Sequence, residues 1–454
     1  MMRIKILLLS LLLTAELFAG LNNLTLSKAL KLLDKNNLEI KVSKYDSQMK
    51  AYDQLVAEGH QYGKLDLTMM AMRSDDAGNV FGFKLQSREA TFGDFGFAEF
   101  DMSGQTNPLP VAPKALNYPK ARNHFVTKLS YMLPVYTGGK LTEYKNITSA
   151  LYRMSKLDTA KVRSMKRYQT RKAFYDITLI QSYIVNLRKI IGNIKKLKNI
   201  IHEMKVEGYA QETDKLEVRA RMSEASSMLS QAKLNRALAY QFLSFLLNTE
   251  VSSIRSKSAL APKPNVTKAM INSRNLDIQK ARLGLKITNM ALKLEEANYK
   301  PIIGAFVEYG SADDKPLNDF FGKDSYTVGM QMQYNIFNGG IDEANLEKSR
   351  VNIMKVSDQL RLAKKGIALK VKQLQTEIGG YDADIKSYRD QLKFARTVYE
   401  KYQEKYKEGI TSISDVLIKQ AKELEVLLRL LKVKNARNSK VFKLQSLLNL
   451  GVKQ

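Results

Sequence analysis

The chain repeats its own sequence at a fixed spacing of 201 residues, and this duplication limits the possible folds more than any other feature. Gly138-Gly139 returns as Gly339-Gly340, and Leu246-Leu247-Asn248 returns as Leu447-Leu448-Asn449. The spacing holds without a gap over about 110 residues, so the two stretches are expected to share one order of secondary structure. Further pairs at this spacing are Tyr136 and Phe337, Gly208 and Gly409, Asp214 and Asp415, and Leu216 and Leu417.

A second, larger spacing extends the repeat upstream, where Asn37-Leu38-Glu39-Ile40 resembles Asn275-Leu276-Asp277-Ile278. The halves meet at Ala261-Pro262-Lys263-Pro264, and two prolines so close together break a helix. We therefore predict two structural repeats, at residues 20–262 and 263–454.

The N-terminal stretch has the pattern of a secretory signal peptide. Arg3 and Lys5 supply positive charge, a nearly all-apolar run from Ile6 to Leu13 follows, and Ala19 or Gly20 offers a small residue for cleavage. The run is shorter than the roughly 20 residues that a membrane-spanning helix needs. These features predict a signal peptide over residues 1–19. The chain has no cysteine, which excludes disulfides and thiolate metal sites.

Each repeat is predicted to end in a long antiparallel helical hairpin. From Gly139 to about Glu207 there is no proline, and apolar residues recur every three or four positions, which is typical of coiled-coil packing. Such a helix spans roughly 100 Å at 1.5 Å per residue, so it must pack sideways against similar helices. Gly208 and Gly409 are predicted to form the hairpin turns. The apolar stripe consists of Phe174, Ile177, Ile180, Ile184, Leu187, Ile191, Ile194, Leu197, Ile201 and Met204.

Upstream of the hairpins, residues 24–60 are predicted to form one helix, and alternation of apolar and polar residues predicts two strands in each repeat. Over residues 326–336, Tyr, Val, Met, Met, Tyr and Ile share one face, while Thr, Gly, Gln, Gln and Asn share the other. Residues 125–136 alternate in the same way, and 64–72 and 302–309 are weaker candidates. This pattern is typical of a membrane barrel with a wet lumen. The strands of a soluble sandwich are the alternative, which the long flanking helices disfavour.

Four strands are too few to close a barrel, and open strand edges are not tolerated in lipid. Two copies of the chain would give eight strands and almost no pore, whereas three would give twelve and an open lumen. We therefore expect a mainly α-helical fold in which several chains share one membrane β-barrel. The connection between the first two strands, about residues 74–123, is long, as is typical of loops on the cell exterior.

In the order of these elements the sequence resembles the TolC family of outer-membrane efflux proteins, over nearly the whole chain after the predicted signal peptide. The motifs that carry the resemblance are Leu24-Thr25-Leu26-Ser27-Lys28-Ala29-Leu30 with Asn36-Asn37, Leu133-Pro134-Val135-Tyr136-Thr137-Gly138-Gly139-Lys140, Tyr334-Asn335-Ile336-Phe337-Asn338-Gly339-Gly340, and Tyr406-Lys407-Glu408-Gly409-Ile410-Thr411-Ser412-Ile413-Ser414-Asp415-Val416-Leu417. The resemblance implies a homotrimer in the outer membrane of a Gram-negative bacterium. It implies a shared twelve-stranded barrel, a twelve-helix periplasmic tunnel, a periplasmic adaptor protein and an inner-membrane transporter.

The resemblance also implies a gate where the hairpins turn. Tyr406 matches the family's gate tyrosine, Asp214 matches its aspartate partner, and Asp415 matches an acidic residue that rings the entrance. Two positions depart from the family: Thr411 stands where the gate arginine is found, and Ile418 stands at a second acidic position. A carboxylate in the first turn of a helix also suits the helix N-terminus, and a tyrosine also suits a packed interface, so these roles stay open as alternatives.

In this family the exposed hairpin turns receive the adaptor, which makes residues 205–216 and 406–417 the candidate docking segments. The candidate turn and docking residues are Gly208, Gly409, Tyr209, Ile410 and Ser412. The glycines that are predicted to join strand to helix are Gly138, Gly139, Gly339 and Gly340.

Other functions have less support in the sequence. The formal charge of +28 is compatible with binding to nucleic acid, but the lysines are spread along the predicted helices rather than gathered in one patch. His60, His124 and His202 lack metal-ligand spacing, and no catalytic or phosphate-binding motif is present. We expect no enzyme activity, no cofactor and no metal site. The favoured function is the channel subunit of a tripartite efflux or type I secretion system; the alternative is a periplasmic or surface coiled-coil scaffold.

Overall fold

A computed structural model describes residues 20–450 apart from 106, 108, 209 and 257–259, and the predicted signal peptide lies outside the described residues. The helices are α1 (Leu26–Asn36), α2 (Leu38–Gly59), α3 (Ala77–Gln86), α4 (Lys114–Asn117), α5 (Lys140–Val206), α6 (Glu212–Leu247), α7 (Lys268–Arg274), α8 (Leu276–Glu296), α9 (Ile341–Lys407) and α10 (Ile413–Leu447). The strands are β1 (Lys64–Ser74), β2 (Arg122–Tyr136), β3 (Ile302–Asp313) and β4 (Asp324–Gln333). Over this described part of the chain, no helix has the length and apolar character needed to cross a membrane.

The same order of elements occurs twice along the chain. A short helix, a longer helix, two strands, a very long helix and a return helix follow one another before and after the proline-rich join. The very long helices α5 and α9 both have 67 residues, as the ungapped spacing of 201 residues requires. The exact boundary between the repeats, at residues 262 and 263, stays a prediction.

The prediction of a single helix over residues 24–60 was wrong, because the helix is interrupted at Asn37. The chain leaves the helical conformation at Asn37, with φ −61° and ψ 124°, and α1 ends there. The Asn37 side chain then accepts a hydrogen bond of 3.0 Å from the backbone N–H of Ile40, which caps the start of α2. One asparagine therefore divides the predicted helix into two.

The four strands form one antiparallel sheet in the order β1-β2-β3-β4. All four predicted strand segments lie in this sheet, but β1, β2 and β3 are longer than expected, and β4 begins at Asp324 and ends at Gln333 rather than at residue 336. Gln333 pairs with Ile302, the first residue of β3, so residues 334–336 have no strand partner.

The register of the strands gives the sheet two chemically different faces, because side chains alternate along each strand. The apolar face carries Leu65, Leu67, Met69, Leu129, Tyr131, Ile303, Val307, Val328, Met330 and Met332. The polar face carries Thr68, Lys128, Ser130, Glu308, Thr327 and Gln331 along most of its length. Two charges of the polar face form an ion pair between strands, with Lys128 Nζ 3.0 Å from Glu308 Oε1.

By compactness the chain divides into two units. One unit comprises Lys50–Tyr152 and Leu285–Val356 and contains the sheet. The other comprises the described residues up to Met49, Arg153–Gly284, and the described residues from Ser357 onward, and it contains most of the helix length.

The core of the helical unit is built around the apolar stripe of α5. Phe174 and Ile177 are completely buried against Leu33 of α1, Ile40 of α2 and Leu246 of α6. Burial of each such side chain stabilises the fold by roughly 1.5–3 kcal/mol, so the stripe strongly favours side-by-side packing of helices. The buried members of the predicted stripe are Phe174, Ile177, Ile184, Leu187, Ile194, Leu197 and Ile201, and Ile180, Ile191 and Met204 are half-buried.

Candidate gate at the hairpin turns

Both hairpins turn at a glycine with a left-handed backbone. Gly409 has φ +72°; its N–H donates to the carbonyl of Tyr406 at 3.0 Å, and the N–H of Ile410 donates to the carbonyl of Lys405 at 2.9 Å. These two bonds satisfy the last carbonyls of α9 and stop the helix. Gly208 has φ +82° at the equivalent place after α5. Each turn thus contains a glycine in the left-handed conformation, which is the conformation that commonly ends a helix.

Two of the predicted docking residues, Ile410 and Ser412, lie between the end of α9 and the start of α10. Ile410 is 66% exposed, although the burial of an isoleucine side chain would be favourable. Ser412 begins α10 as its N-cap residue. Tyr209 lies outside the described residues. A role of any of these residues in docking stays a prediction.

Asp214 and Asp415 both make capping contacts at the start of a return helix. The Asp214 carboxylate accepts a hydrogen bond of 3.0 Å from the backbone N–H of Gln211. The backbone N–H of Asp415 donates to Ser412 Oγ at 3.1 Å, and the Ser412 hydroxyl donates back to the Asp415 carboxylate at 2.7 Å. The capping role that the sequence left open is therefore present at both aspartates.

Thr411, which stands where the family has an arginine, holds Asp415 of its own turn. Its hydroxyl donates a hydrogen bond of 3.1 Å to the Asp415 carboxylate. Bonds from Ser412 and then from Thr411 place the pKa of Asp415 below its ordinary value. At neutral pH Asp415 is therefore a carboxylate fixed by two hydroxyl groups.

Tyr406 is packed between the two hairpins and is only 5% exposed. Its cluster joins residues of α5, α6, α9 and α10, so the packed interface that the sequence left open as an alternative role is observed. Burial, and then the nearby negative charge of Asp214, raise the pKa of Tyr406. The buried members of the cluster are Ile194, Leu197, Ile201, Val218, Ala225, Tyr399, Tyr406, Ile413, Val416 and Leu417.

Three of the four predicted gate residues meet around one cleft. Asp214, Tyr406 and Thr411 line a cleft of about 650 Å³ at the turns, and Asp415 is not among its lining residues. Glu207 and Glu408 add two carboxylates to the rim. The full lining consists of Ile200, Met204, Glu207, Asp214, Tyr406, Lys407, Glu408, Gly409, Thr411, Ser412 and Ile413.

A contact between the hairpins was missed from the sequence. The Ser414 hydroxyl, in the first turn of α10, donates a hydrogen bond of 3.1 Å to the Glu217 carboxylate of α6. At the spacing of 201 residues Glu217 is the counterpart of Ile418, the position where the expected acid is absent. Reading the spacing in both directions would have found Glu217 as an acidic residue near the turns.

The strand-to-helix glycines lie in the unit that contains the sheet. All four have positive φ, and Gly138 is also tightly packed. A Cβ atom on Gly138 would lie 2.8 Å from the carbonyl oxygen of Ala297. Gly138 therefore allows the start of α5 to approach the turn that precedes β3. The φ values are +66° at Gly138, +98° at Gly139, +71° at Gly339 and +81° at Gly340.

One group of carboxylates within the described ranges is close enough to hold a metal ion. It consists of Glu89, Asp313 and Asp314. Lys323 already binds Glu89 and Asp313, and Arg122 also binds Glu89, so two of the three carboxylates are paired with cations of the protein. None of the three histidines belongs to it.

Comparison with known proteins gives a family match and a fold. Residues 269–450 match the family model described as outer membrane efflux protein. No curated protein matches the chain closely enough in sequence to be a relative.

Three solved proteins with this fold illustrate the structural likeness. CusC, described in connection with transmembrane channel formation, has a TM-score of 0.77 at 14% identity, over 94% of this chain and 92% of CusC. The outer membrane protein VceC of Vibrio cholerae has a TM-score of 0.76 at 13% identity, over 94% and 97%. The outer membrane channel CmeC of Campylobacter jejuni has a TM-score of 0.74 at 14% identity, over 94% and 86%. At such low identity these likenesses establish the fold alone. The chain therefore has the fold of these outer membrane channels, and its residues 269–450 match the outer membrane efflux protein family.

Proposed function

We propose that the chain is one subunit of a homotrimeric, passive and gated exit duct. Three copies share a twelve-stranded barrel in the outer membrane, and their helical hairpins form a tunnel in the periplasm. A periplasmic adaptor joins the tunnel to an inner-membrane transporter, which supplies the energy for export. The observation that carries this proposal is the pair of open edges of the sheet.

Within the described residues, β1 and β4 each pair with one neighbour and leave the other edge open. Open edges in lipid leave backbone N–H and C=O groups without partners, at a cost of several kcal/mol for each group. The same sheet exposes large apolar side chains: Leu67 is 66% exposed and Met330 is 69% exposed. Pairing β4 of one copy with β1 of the next satisfies both edges and keeps the apolar face toward lipid.

The helices also support assembly from several copies. On α6, Leu234, Leu238 and Phe245 are 54%, 53% and 69% exposed, and they recur at the spacing of one helix face. A second apolar stripe of this kind is expected where helices of a neighbouring copy pack. A solvated scaffold helix has no need of it.

Disulfide trapping between copies tests the trimer, because the chain has no cysteine of its own. Leu67→Cys in β1 together with Val328→Cys in β4 is expected to give covalent ladders that end at three chains in outer-membrane fractions. Each single variant serves as the control and is expected to give at most dimers. Ladders that continue beyond three chains would exclude the trimer, and a monomer that is soluble without detergent would favour the coiled-coil scaffold.

Single-channel recording tests the gate. Asp214→Ala with Tyr406→Ala is expected to raise conductance in planar bilayers several-fold, because it removes the buried ring and the carboxylate beside it. Tyr402→Ala is the matched control, since Tyr402 packs on the edge of the same cluster and does not line the cleft. Equal conductance of the wild-type and the double variant would leave these residues with capping and packing roles only.

Site-specific cross-linking in cells tests the partner. A photo-reactive residue at Ile410 is expected to capture a periplasmic adaptor, while one at Tyr118, which is 83% exposed in the β1–β2 connection, is expected to capture none. The same adaptor at both positions would contradict docking at the turns.

A further inference from the structure

The long connection between β1 and β2 does not extend away from the sheet; it folds back over the polar face. Asp76 caps α3 directly after β1, by accepting a hydrogen bond of 2.9 Å from the N–H of Asn79. From this start α3 packs its apolar residues inward, so that Val80 is 2% exposed and Phe83 is 7% exposed.

The contacts of α3 identify the face that it covers. The Phe83 ring stacks on the imidazole of His124 in β2, with ring centroids 4.0 Å apart and planes 8° apart. His124 Nε2 lies 2.9 Å from Gln86 Oε1, and His124 is 1% exposed. His124 shares its side of β2 with Lys128, which forms an ion pair with Glu308 of β3. The helix therefore lies on the side of the sheet that carries the charged pair.

The sheet is adapted to this helix at one end. Where α3 covers it, the polar face carries Met70, Met72 and Val126 rather than polar residues. The next positions on the same face are polar, and they are Thr68, Lys128, Glu308 and Thr327. The apolar residues beneath α3 therefore give the helix a surface on which to pack.

Glu89 lies just after α3, and its ion pairs link α3 to the ends of the strands. Its carboxylate binds Arg122 at the start of β2 and Lys323 just before β4. Lys323 also binds Asp313 at the end of β3, at 2.7 Å. The hydroxyl of Ser87, which is fully buried, accepts a further hydrogen bond of 3.0 Å from Arg122. Three strand ends are thus linked through one carboxylate.

Glu89 is charged at neutral pH. Its partial burial raises the pKa, but the hydrogen bonds from Lys323 and Arg122 lower it, and the resulting pKa is below the ordinary value. Hydrogen bonds to Asp313 and then to Glu89 raise the pKa of Lys323. Both partners of the link are therefore ionised under ordinary conditions.

We infer that α3 and the residues up to Glu89 form a size-selecting constriction at the outward end of the duct, with Glu89 as its positioning residue. The inference rests on the proposed function, because the polar face lines the lumen only in the closed barrel. In that barrel each copy places one α3 inside the lumen. A helix with its side chains is about 10–12 Å across, so three of them narrow the exit.

Labelling of engineered cysteines on intact cells, with the full chain, tests this inference. Gln331→Cys places a thiol on the polar face, farther from the exterior than α3, and Ser103→Cys places one in the exposed connection. A small maleimide is expected to label both. A bulky polyethylene-glycol maleimide is expected to label Ser103→Cys readily and Gln331→Cys several-fold more slowly.

Variants of the link then separate positioning from general stability. Glu89→Gln in the Gln331→Cys background is expected to remove most of the difference between the two reagents, and Glu89→Asp is expected to restore it. Replacement of residues 77–89 by a glycine-serine linker is expected to remove the difference completely. Heat-resistant oligomers confirm that each variant is assembled.

The inference is overturned if both reagents label Gln331→Cys at the same relative rate in the otherwise unchanged chain, or if the linker variant keeps the size limit. A chain whose Ser103→Cys variant reacts with neither reagent on intact cells would instead contradict the proposed location of the duct. The two failures are therefore distinguishable.

Discussion

Asn37 and Asn275 make the same two hydrogen bonds in the two halves of the chain. Asn37 Nδ2 donates to the carbonyl of Leu246 at 2.8 Å, and Asn275 Nδ2 donates to the carbonyl of Leu447 at 2.9 Å. Each side-chain oxygen accepts the N–H three residues farther on, at 3.0 and 2.9 Å. One side chain therefore begins a helix and satisfies a terminal carbonyl of the return helix of its own half.

Replacement of either asparagine by alanine is expected to cost about 1–3 kcal/mol in the free energy of unfolding, because the change leaves a buried carbonyl and a helix N–H without partners. Asn36→Ala is the control, since Asn36 is half-buried and makes a single bond of 3.3 Å to Thr249. Thermal unfolding of the detergent-solubilised protein measures the effect. An equal loss from Asn36→Ala and Asn37→Ala would contradict the role of the paired bonds.

Gly138 and Gly339 have nearly the same φ but different surroundings, which gives a matched pair of variants. Alanine at either site adopts a left-handed backbone at a cost of about 1–2 kcal/mol. At Gly138 the new Cβ also meets the carbonyl of Ala297 at 2.8 Å, while nothing lies within 4 Å at Gly339 in one chain. Gly138→Ala is therefore expected to lower the unfolding temperature more than Gly339→Ala. The reverse order would show that contacts between copies dominate at Gly339.

The bond from Ser414 to Glu217 joins the two hairpins beside the turns. Ser414→Ala is expected to increase the open probability of single channels, because a hydrogen bond of this kind contributes about 1 kcal/mol to holding two elements together. Thr213→Ala is the control, because Thr213 is the counterpart of Ser414 and its hydroxyl bonds within its own turn, to Gln211 at 3.3 Å. A similar change from both variants would argue against a specific link.

The hydrogen bonds to Asp415 predict a dependence on pH. Because the pKa of Asp415 is lowered in the folded turn, its stabilisation is present above the ordinary pKa of about 3.9 and is lost as pH falls through the folded value. Hydrogen exchange of the backbone amides of Ser412–Leu417, corrected for intrinsic rates, is expected to quicken on acidification in this range. Asp415→Asn is expected to abolish the dependence, and an unchanged profile in that variant would assign it to another group.

Much of the helical architecture follows from local sequence. The stripe on α5 and the glycine at residue 208 were sufficient to predict both ends of this helix to within a residue or two. Apolar periodicity and a helix-ending glycine are both local features of the sequence. Asn37 was missed for the opposite reason. The helix break at Asn37 depends on a hydrogen bond to the carbonyl of Leu246. A bond between such distant positions leaves no periodic pattern in the sequence.

The helix α3 could not be predicted from its own residues. A segment of 10 residues with two internal glycines is a weak helix in isolation, and it is stabilised by packing on the sheet. A signal was nevertheless present: Met70, Met72 and Val126 place an apolar patch beside the polar residues Thr68 and Lys128 on the same face. The gate residues could be brought together from the sequence only through a known family, since the positions of Tyr406 and Asp214 depend on how two hairpins pack.

The open edges of β1 and β4 carry a genetic consequence for the proposed trimer. Each copy must pair with a neighbour on both sides. A chain with a proline in the middle of β4 therefore prevents barrel closure in every trimer that contains it. A cell that makes equal amounts of intact and blocked chains would retain about one sound assembly in eight if mixing is random. Such an allele should therefore be dominant over the wild-type gene, whereas a simple null allele should be recessive.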